Sequence, residues 1–126
     1  MKNCFFTEKG PKAIGPYCTA TRTGSVAFLS GMLGIDPATG KLAEGGIEAQ
    51  ARQSMQNVCT VLEEMGLSAK SILKTTVFLK DLNDFGKVNA IYGDFFGPDY
   101  PARSCVEVAR IPMDALVEIE AIASVE

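Results

Sequence analysis

Ala115-Leu116-Val117-Glu118-Ile119-Glu120-Ala121-Ile122-Ala123 is the stretch that decides the fold. In an extended strand its side chains alternate between two faces, with Ala115, Val117, Ile119, Ala121 and Ala123 on one. That row is wholly apolar, as a strand packed on a core requires. Leu116, Glu118, Glu120 and Ile122 make the other row, which mixes aliphatic groups with carboxylates. A mixed face on a strand this long predicts cover by another subunit, with the carboxylates near a cleft or rim.

Reading outward from this strand, residues 104–110 form its neighbour in sequence, joined to it by a turn around Pro112–Asp114. Before them, Phe85, Val88, Tyr92 and Phe96 repeat at helical spacing from an N-cap expected near Asn83, and Gly97-Pro98 stops the run. Residues 72–79 (ILKTTVFL) read as a strand from their β-branched content. The clearest helix carries Ile47, Ala51, Met55, Val58, Leu62 and Met65 on one stripe and ends at Gly66, with Glu48 and Arg52 spaced as an i, i+4 pair. DPATG at 36–40 is turn chemistry, and VAFLS at 26–30 is a strand within an N-terminal part that reads as strands up to Asp36. The order β-rich, helix, strand, helix, strand, strand predicts a single α+β domain over residues 1–126, its sheet covered by two helices on one face. No linker, repeat or low-complexity segment interrupts it.

With 126 residues, 47% hydrophobic and 21% charged, the chain has ordinary globular composition and length enough for its own core. Its apolar runs are too short to span a membrane, and residues 1–15 show no export signal, so a cytoplasmic location is expected. The net charge is -3, the pI is near 5.0, and the Lys and Arg are scattered, which argues against nucleic acid as the main partner. The chain has no His, which excludes Ser-His-Asp and Cys-His nucleophile systems and the usual His-containing zinc and iron sites. Acid–base chemistry is left to Glu, Asp, Tyr, Lys, Cys or water. Cys4, Cys18, Cys59 and Cys105 form no CxxC pair, and without an export signal they are expected to be free, small, buried or half-buried thiols. No phosphate-binding glycine loop and no metal-ligand cluster is present, so neither cofactor nor metal is expected.

Among residues able to carry chemistry, Arg103 follows Pro101 at the mouth of a strand, where its planar fork suits a carboxylate. It reads either as an anchor for an anionic substrate or as half of an ion pair. Glu118 and Glu120 stand two apart on one strand face, roughly 6–7 Å at Cβ, either as acid–base groups or as a solvated pair. Tyr17 leaves a Gly15-Pro16 turn, as a site residue or a packing aromatic. Ser30-Gly31 closes a strand, where glycine either exposes backbone to a ligand or marks a bulge. Cys105 lies two residues after Arg103, and Asn89 beside an apolar stripe needs hydrogen-bond partners.

The chain strongly resembles the Rid family, also called the YjgF family. The segments that carry the resemblance are IGPY (14–17), FLSG (28–31), DPATGKL (36–42), QARQSMQNV (50–58), KTTVFLKDLNDFGKVNAIY (74–92), PARSCVEVARIP (101–112) and VEIEAIA (117–123). They run in family order over nearly the whole chain. The resemblance implies a chorismate-mutase-like fold, a homotrimer with clefts between subunits, and cofactor-independent hydrolysis of reactive enamine and imine intermediates to 2-oxo acids and ammonia. It implies Arg103 as the carboxylate-binding residue, Glu118 as the residue that positions water, Tyr17 as the site tyrosine, and Gly31 and Cys105 as backbone contacts, with Ser30 and Asn89 in support. Two departures from the usual pattern are Met32 in place of a common Gln, and Cys18-Thr19 in place of Ser-Gln. Two other classes stay open at this level: an RNA-acting translation inhibitor or ribonuclease, and a non-enzymatic small-molecule-binding or chaperone-like module.

Overall fold

The structure, a computed structural model, describes residues 1–126. In chain order the elements are β1 (Asn3–Phe5), β2 (Ala20–Thr23), β3 (Val26–Leu33), β4 (Ile35–Asp36), β5 (Lys41–Leu42), α1 (Gly46–Glu64), β6 (Ile72–Leu79), α2 (Phe85–Phe96), β7 (Ala102–Glu107) and β8 (Val117–Ser124). Six strands form one sheet in the order β1-β2-β3-β8-β6-β7, and β4-β5 is a separate hairpin over the DPATG turn. Every pairing in the large sheet is antiparallel except β6 with β7, which α2 joins as a crossover. This is the expected α+β architecture with one mixed sheet and two helices.

The decisive stretch lies at the centre. Val117, Ile119, Ala121 and Ala123 are buried beneath α1 and α2, in one cluster with Met55, Val58, Leu62, Val77 and Leu79. Glu118, Glu120 and Ile122 point away from the helices, as the alternation requires. Helix α1 ends as read from Gly66. The Gly66 N–H donates to the Glu63 carbonyl and the Leu67 N–H to the Leu62 carbonyl, with Gly66 at φ 77°. Glycine takes this left-handed conformation without a Cβ penalty.

Four local readings change. Asn83 is not the helix cap: Asp81 accepts from the Asn83 N–H at 2.9 Å and starts a short 3-10 turn that precedes α2. Phe85 is 40% exposed and packs outside the core, whose α2 stripe is Val88, Ile91, Tyr92 and Phe96. Glu48 and Arg52 are both exposed and unpaired; the one ion pair in the chain is Arg110 with Asp114 at 2.9 Å. Cys4 and Cys18 are not free thiols but a disulfide, with Cα atoms 5.8 Å apart. The β1–β2 pairing brings the two segments alongside each other, with Cys4 opposite Thr21, but Cys18 lies before β2 and outside that ladder. Cys59 and Cys105 are free. No helix is long and apolar enough to cross a membrane.

Helix α1 also buries polar groups on the face that meets the end of β3. Ser54 donates to the Met32 carbonyl at 2.6 Å, and Asn57 donates to the Leu33 and Ile35 carbonyls at 3.0 and 2.9 Å. Gln50 accepts from the Leu116 N–H at 2.9 Å. These bonds satisfy backbone groups where β3 departs from regular pairing, and hold that irregular end in place.

Candidate functional site

The pairing of β3 with β8 slips between Leu29 and Met32, so Ser30-Gly31 forms a bulge. The bulge reading of this dipeptide therefore holds, and the bulge lies in a cleft. The cleft has a volume of about 440 Å³ and is lined by Tyr17, Ser30, Gly31, Met32, Glu118 and Glu120 among others. Ser30 is fixed from both ends: its N–H donates to the Thr19 carbonyl at 2.9 Å and its hydroxyl to the Cys18 carbonyl at 2.8 Å. Gly31 leaves room for a carboxyl group. A Cβ at this position would lie 2.7 Å from Glu118 Cδ and 3.0 Å from its Oε2. A side chain here would displace the carboxylate packed against the glycine, whose backbone angle imposes no demand of its own.

Glu118 is half-buried, and desolvation, assisted by the nearby Glu120 charge, pushes its pKa above the usual carboxylate range. Such a carboxylate is a stronger base than a solvated one. Tyr17, 43% exposed, stands at the cleft wall and its hydroxyl accepts from the Ile14 N–H at 3.2 Å.

Arg103 is elsewhere. It leaves β7 on the helix face, in register with the buried Thr75 of β6. Its guanidinium lies 4.7 Å from the Tyr92 ring centroid and 5.4 Å from that of Phe85. Cation–π contact holds it without an anionic partner, and it makes no ion pair within the chain. The Tyr92 hydroxyl is bonded to Thr75 Oγ1 at 2.6 Å, which fixes the supporting ring. Asn89, Tyr92, Tyr100, Pro101 and Arg103 line a second cavity of about 330 Å³. The buried Asn89 Oδ1 has no hydrogen-bond partner there. Cys105 is half-buried next to this group; burial raises its pKa, against the smaller opposing effect of Arg103.

The seven candidates thus fall into two groups. Tyr17, Ser30, Gly31 and Glu118 share one cleft, while Arg103 and Asn89 share the other and Cys105 lies beside it. Glu118 pairs with Phe78 of β6, and Arg103 with Thr75, so they occupy opposite faces of the sheet with β6 between their strands. Two strand spacings, about 10 Å, and the sheet itself separate them. The sequence reading missed Tyr92 and Thr75 as supports of Arg103. The available signal was the hydroxyl of Thr75 at an otherwise apolar strand position. No group of three or more Cys, Asp or Glu is placed to hold a metal ion.

A mixed six-stranded sheet with this helix pair, and a glutamate over a glycine bulge, mark a recognisable class of protein. The family model described as Endoribonuclease L-PSP matches residues 7–125. The 2-iminobutanoate/2-iminopropanoate deaminase of Salmonella typhimurium is 52% identical over 98% of each chain. A putative endoribonuclease from Thermotoga maritima superimposes with a TM-score of 0.96 at 44% identity, over 100% of this chain and 99% of that one. The structure of E. coli TdcF with bound serine gives 0.93 at 43% identity, over 98% and 99%. The chain belongs to the Rid/YjgF family.

Proposed function

We propose that the protein is a cofactor-independent deaminase of small enamine and imine acids such as 2-aminoacrylate, 2-iminopropanoate and 2-iminobutanoate, working as a homotrimer with composite clefts. The observation that carries this reading is the pairing of a pKa-raised Glu118 over Gly31 with an Arg103 that has no anionic partner. The Salmonella relative named for this reaction supports it, as does the TdcF structure, whose bound serine is a small amino acid.

Each half lacks what the other has. The Glu118 cleft sets two carboxylates, Glu118 and Glu120, against a single cation, Lys12, and offers no guanidinium fork for a substrate carboxylate. The Arg103 cavity grips a carboxylate but offers no base. Since one chain holds them on opposite faces, the complete site takes Arg103, Asn89 and Cys105 from one copy and Tyr17, Ser30, Gly31 and Glu118 from a neighbour. The open sheet face, with 46%-exposed Phe28, 45%-exposed Val106 and half-buried Phe78 and Ile122, supplies apolar surface for that contact.

In the joined cleft, Arg103 binds the substrate carboxylate and fixes the C=N carbon, while the Asn89 Oδ1 accepts from the iminium N–H. Ionised Glu118 takes a proton from water as its oxygen attacks that carbon. The resulting carbinolamine receives the proton back from Glu118 on nitrogen, and ammonia leaves as the C=O forms, the hydroxyl proton passing through Glu118 to the departing ammonia. Water and iminium become a 2-oxo acid and ammonium, with atoms and charge balanced. The protonated imine is already electrophilic, so a positioned carboxylate suffices.

The test is a coupled assay in which threonine dehydratase generates 2-iminobutanoate and semicarbazide traps it. The wild-type protein suppresses semicarbazone formation; unchanged trapping sinks the deaminase reading. Complementation tests the composite site. Arg103→Ala is strongly impaired and Glu118→Gln inactive, but co-refolded in equal amounts they regain about a quarter of wild-type activity, the random share of sites with both native residues. No recovery from verified mixed oligomers sinks the two-copy arrangement.

A further inference from the structure

We propose that Cys4 and Cys18 form a redox site that clamps the segment between them, and with it Tyr17, against the Glu118 cleft. The functional consequence rests on the deaminase reading; the clamp itself does not. The pair closes a stretch that holds Lys12, Ile14 and Tyr17, all of which line the cleft. The far end of that stretch is already fastened, because Glu64 accepts from the Thr7 hydroxyl and from the Glu8 N–H, and the Thr7 N–H donates to Thr19 Oγ1 at 3.0 Å. Residues 11–17, in contrast, hydrogen-bond only among themselves, through Tyr17 N–H to the Gly15 carbonyl and Ile14 N–H to the Tyr17 hydroxyl. Their remaining tethers to the sheet are at Cys18, next to Tyr17: the Ser30 hydroxyl, which donates to the Cys18 carbonyl at 2.8 Å, and the disulfide to Cys4.

Without the disulfide, the Ser30 hydrogen bond holds Cys18 with little help from strand β1. That strand has three residues, lies at the sheet edge, and is largely exposed. Cys4 is exposed and Cys18 half-buried, so the bond is open to a thiol in solution. The Cα separation of 5.8 Å is one that a disulfide spans. Oxidation removes two electrons and two protons from the thiols as the S–S bond forms, and a small disulfide of the glutathione class is reduced to two thiols; reduction runs the exchange backward. Closing the segment restricts its open states and so favours the conformation that places Tyr17 at the cleft.

The experiment equilibrates the wild-type protein with reduced or oxidised glutathione, and intact mass separates the internal disulfide from a glutathione adduct on Cys105. Two readouts follow. Trypsin cleaves after Lys9 and Lys12, both exposed within the clamped segment, and the expected rate is about tenfold higher in the reduced form. The KM for 2-iminobutanoate is expected to rise about threefold on reduction with kcat little changed, and Cys4→Ser and Cys18→Ser keep the reduced-form values under both conditions. Failure of the internal disulfide to form at any glutathione ratio overturns the proposal. So does a formed disulfide that changes neither cleavage nor KM. A redox-dependent cleavage rate in a protein that turns over no imine in either state keeps the clamp and removes the deaminase reading.

Discussion

Replacing Gly31 with Ala tests whether the placement of Glu118 matters to the chemistry. The added methyl would sit 2.7 Å from Glu118 Cδ and 2.9 Å from its Cγ, where ordinary contact begins at 3.4 Å. The carboxyl group must therefore retreat by about 0.7 Å, and a misplacement near 1 Å costs on the order of 100-fold in rate. We expect kcat/KM for 2-iminobutanoate to fall about 30- to 100-fold, about 2–2.7 kcal/mol of lost transition-state stabilisation. Stability should change little, because the obstructing atoms are the end of a flexible side chain that opens on a cleft. Gly34→Ala is the matched control. Its Cβ would meet the Gln50 carbonyl oxygen at 2.4 Å and Gln50 Cα at 2.7 Å, which are helix backbone and cannot turn aside. That variant should lose about 3 kcal/mol or more of stability by overpacking. The semicarbazide assay and urea denaturation read both variants. Wild-type kcat/KM in Gly31→Ala, or a stability loss in it equal to that of Gly34→Ala, would refute the reasoning.

Arg103→Ala should lower kcat/KM by about 10- to 150-fold, the worth of a charged hydrogen bond, while Arg103→Lys recovers only part because an ammonium cannot form the planar fork; equal activity of the Lys and wild-type proteins counts against bidentate anchoring. Glu118→Gln should abolish turnover yet raise the melting temperature near pH 7. Its folded pKa lies above the unfolded one, so ionisation costs stability as pH rises through that window, and the amide removes the cost. The same raised pKa predicts that wild-type kcat/KM falls on the acid side as Glu118 protonates, with a limb above the ordinary glutamate range; a pH–rate profile checks it. Asn57→Ala should destabilise by about 2–3 kcal/mol, since the buried Leu33 and Ile35 carbonyls lose their donor, and denaturant midpoints measure it.

Periodicity made most of the architecture readable, because period 2 in residues 115–123 and the helical stripe from Ile47 to Leu62 each have one way to bury their apolar row. What it could not show was pairing. The three-residue β1 has no pattern of its own, yet its pairing with β2 lays the Cys4 segment beside the chain that enters β2 from Cys18. The polar side chains of Ser54 and Asn57 interrupt the α1 stripe by residue type, but their partners are carbonyls more than twenty residues away. Phe85 fits the α2 stripe by spacing and still lies outside the core, because an arginine from β7 takes its ring as a support.

The site was legible as a set of residues but not as a geometry, and the missing information was which face of the sheet each one takes. Strand alternation fixes faces within β7 and within β8 separately. Only the register linking them through β6 shows that Arg103 shares the side of Thr75 and the helices, while Glu118 shares the side of Phe78. That single relation has a large consequence. A chain that held both residues on one face could have paired them directly, neutralising the arginine and lowering the glutamate pKa. Held apart, Arg103 keeps no anionic partner and the Glu118 pKa stays raised, as the proposed roles require. Under the proposed two-copy arrangement, a substrate lying between them preserves both properties at the moment of reaction.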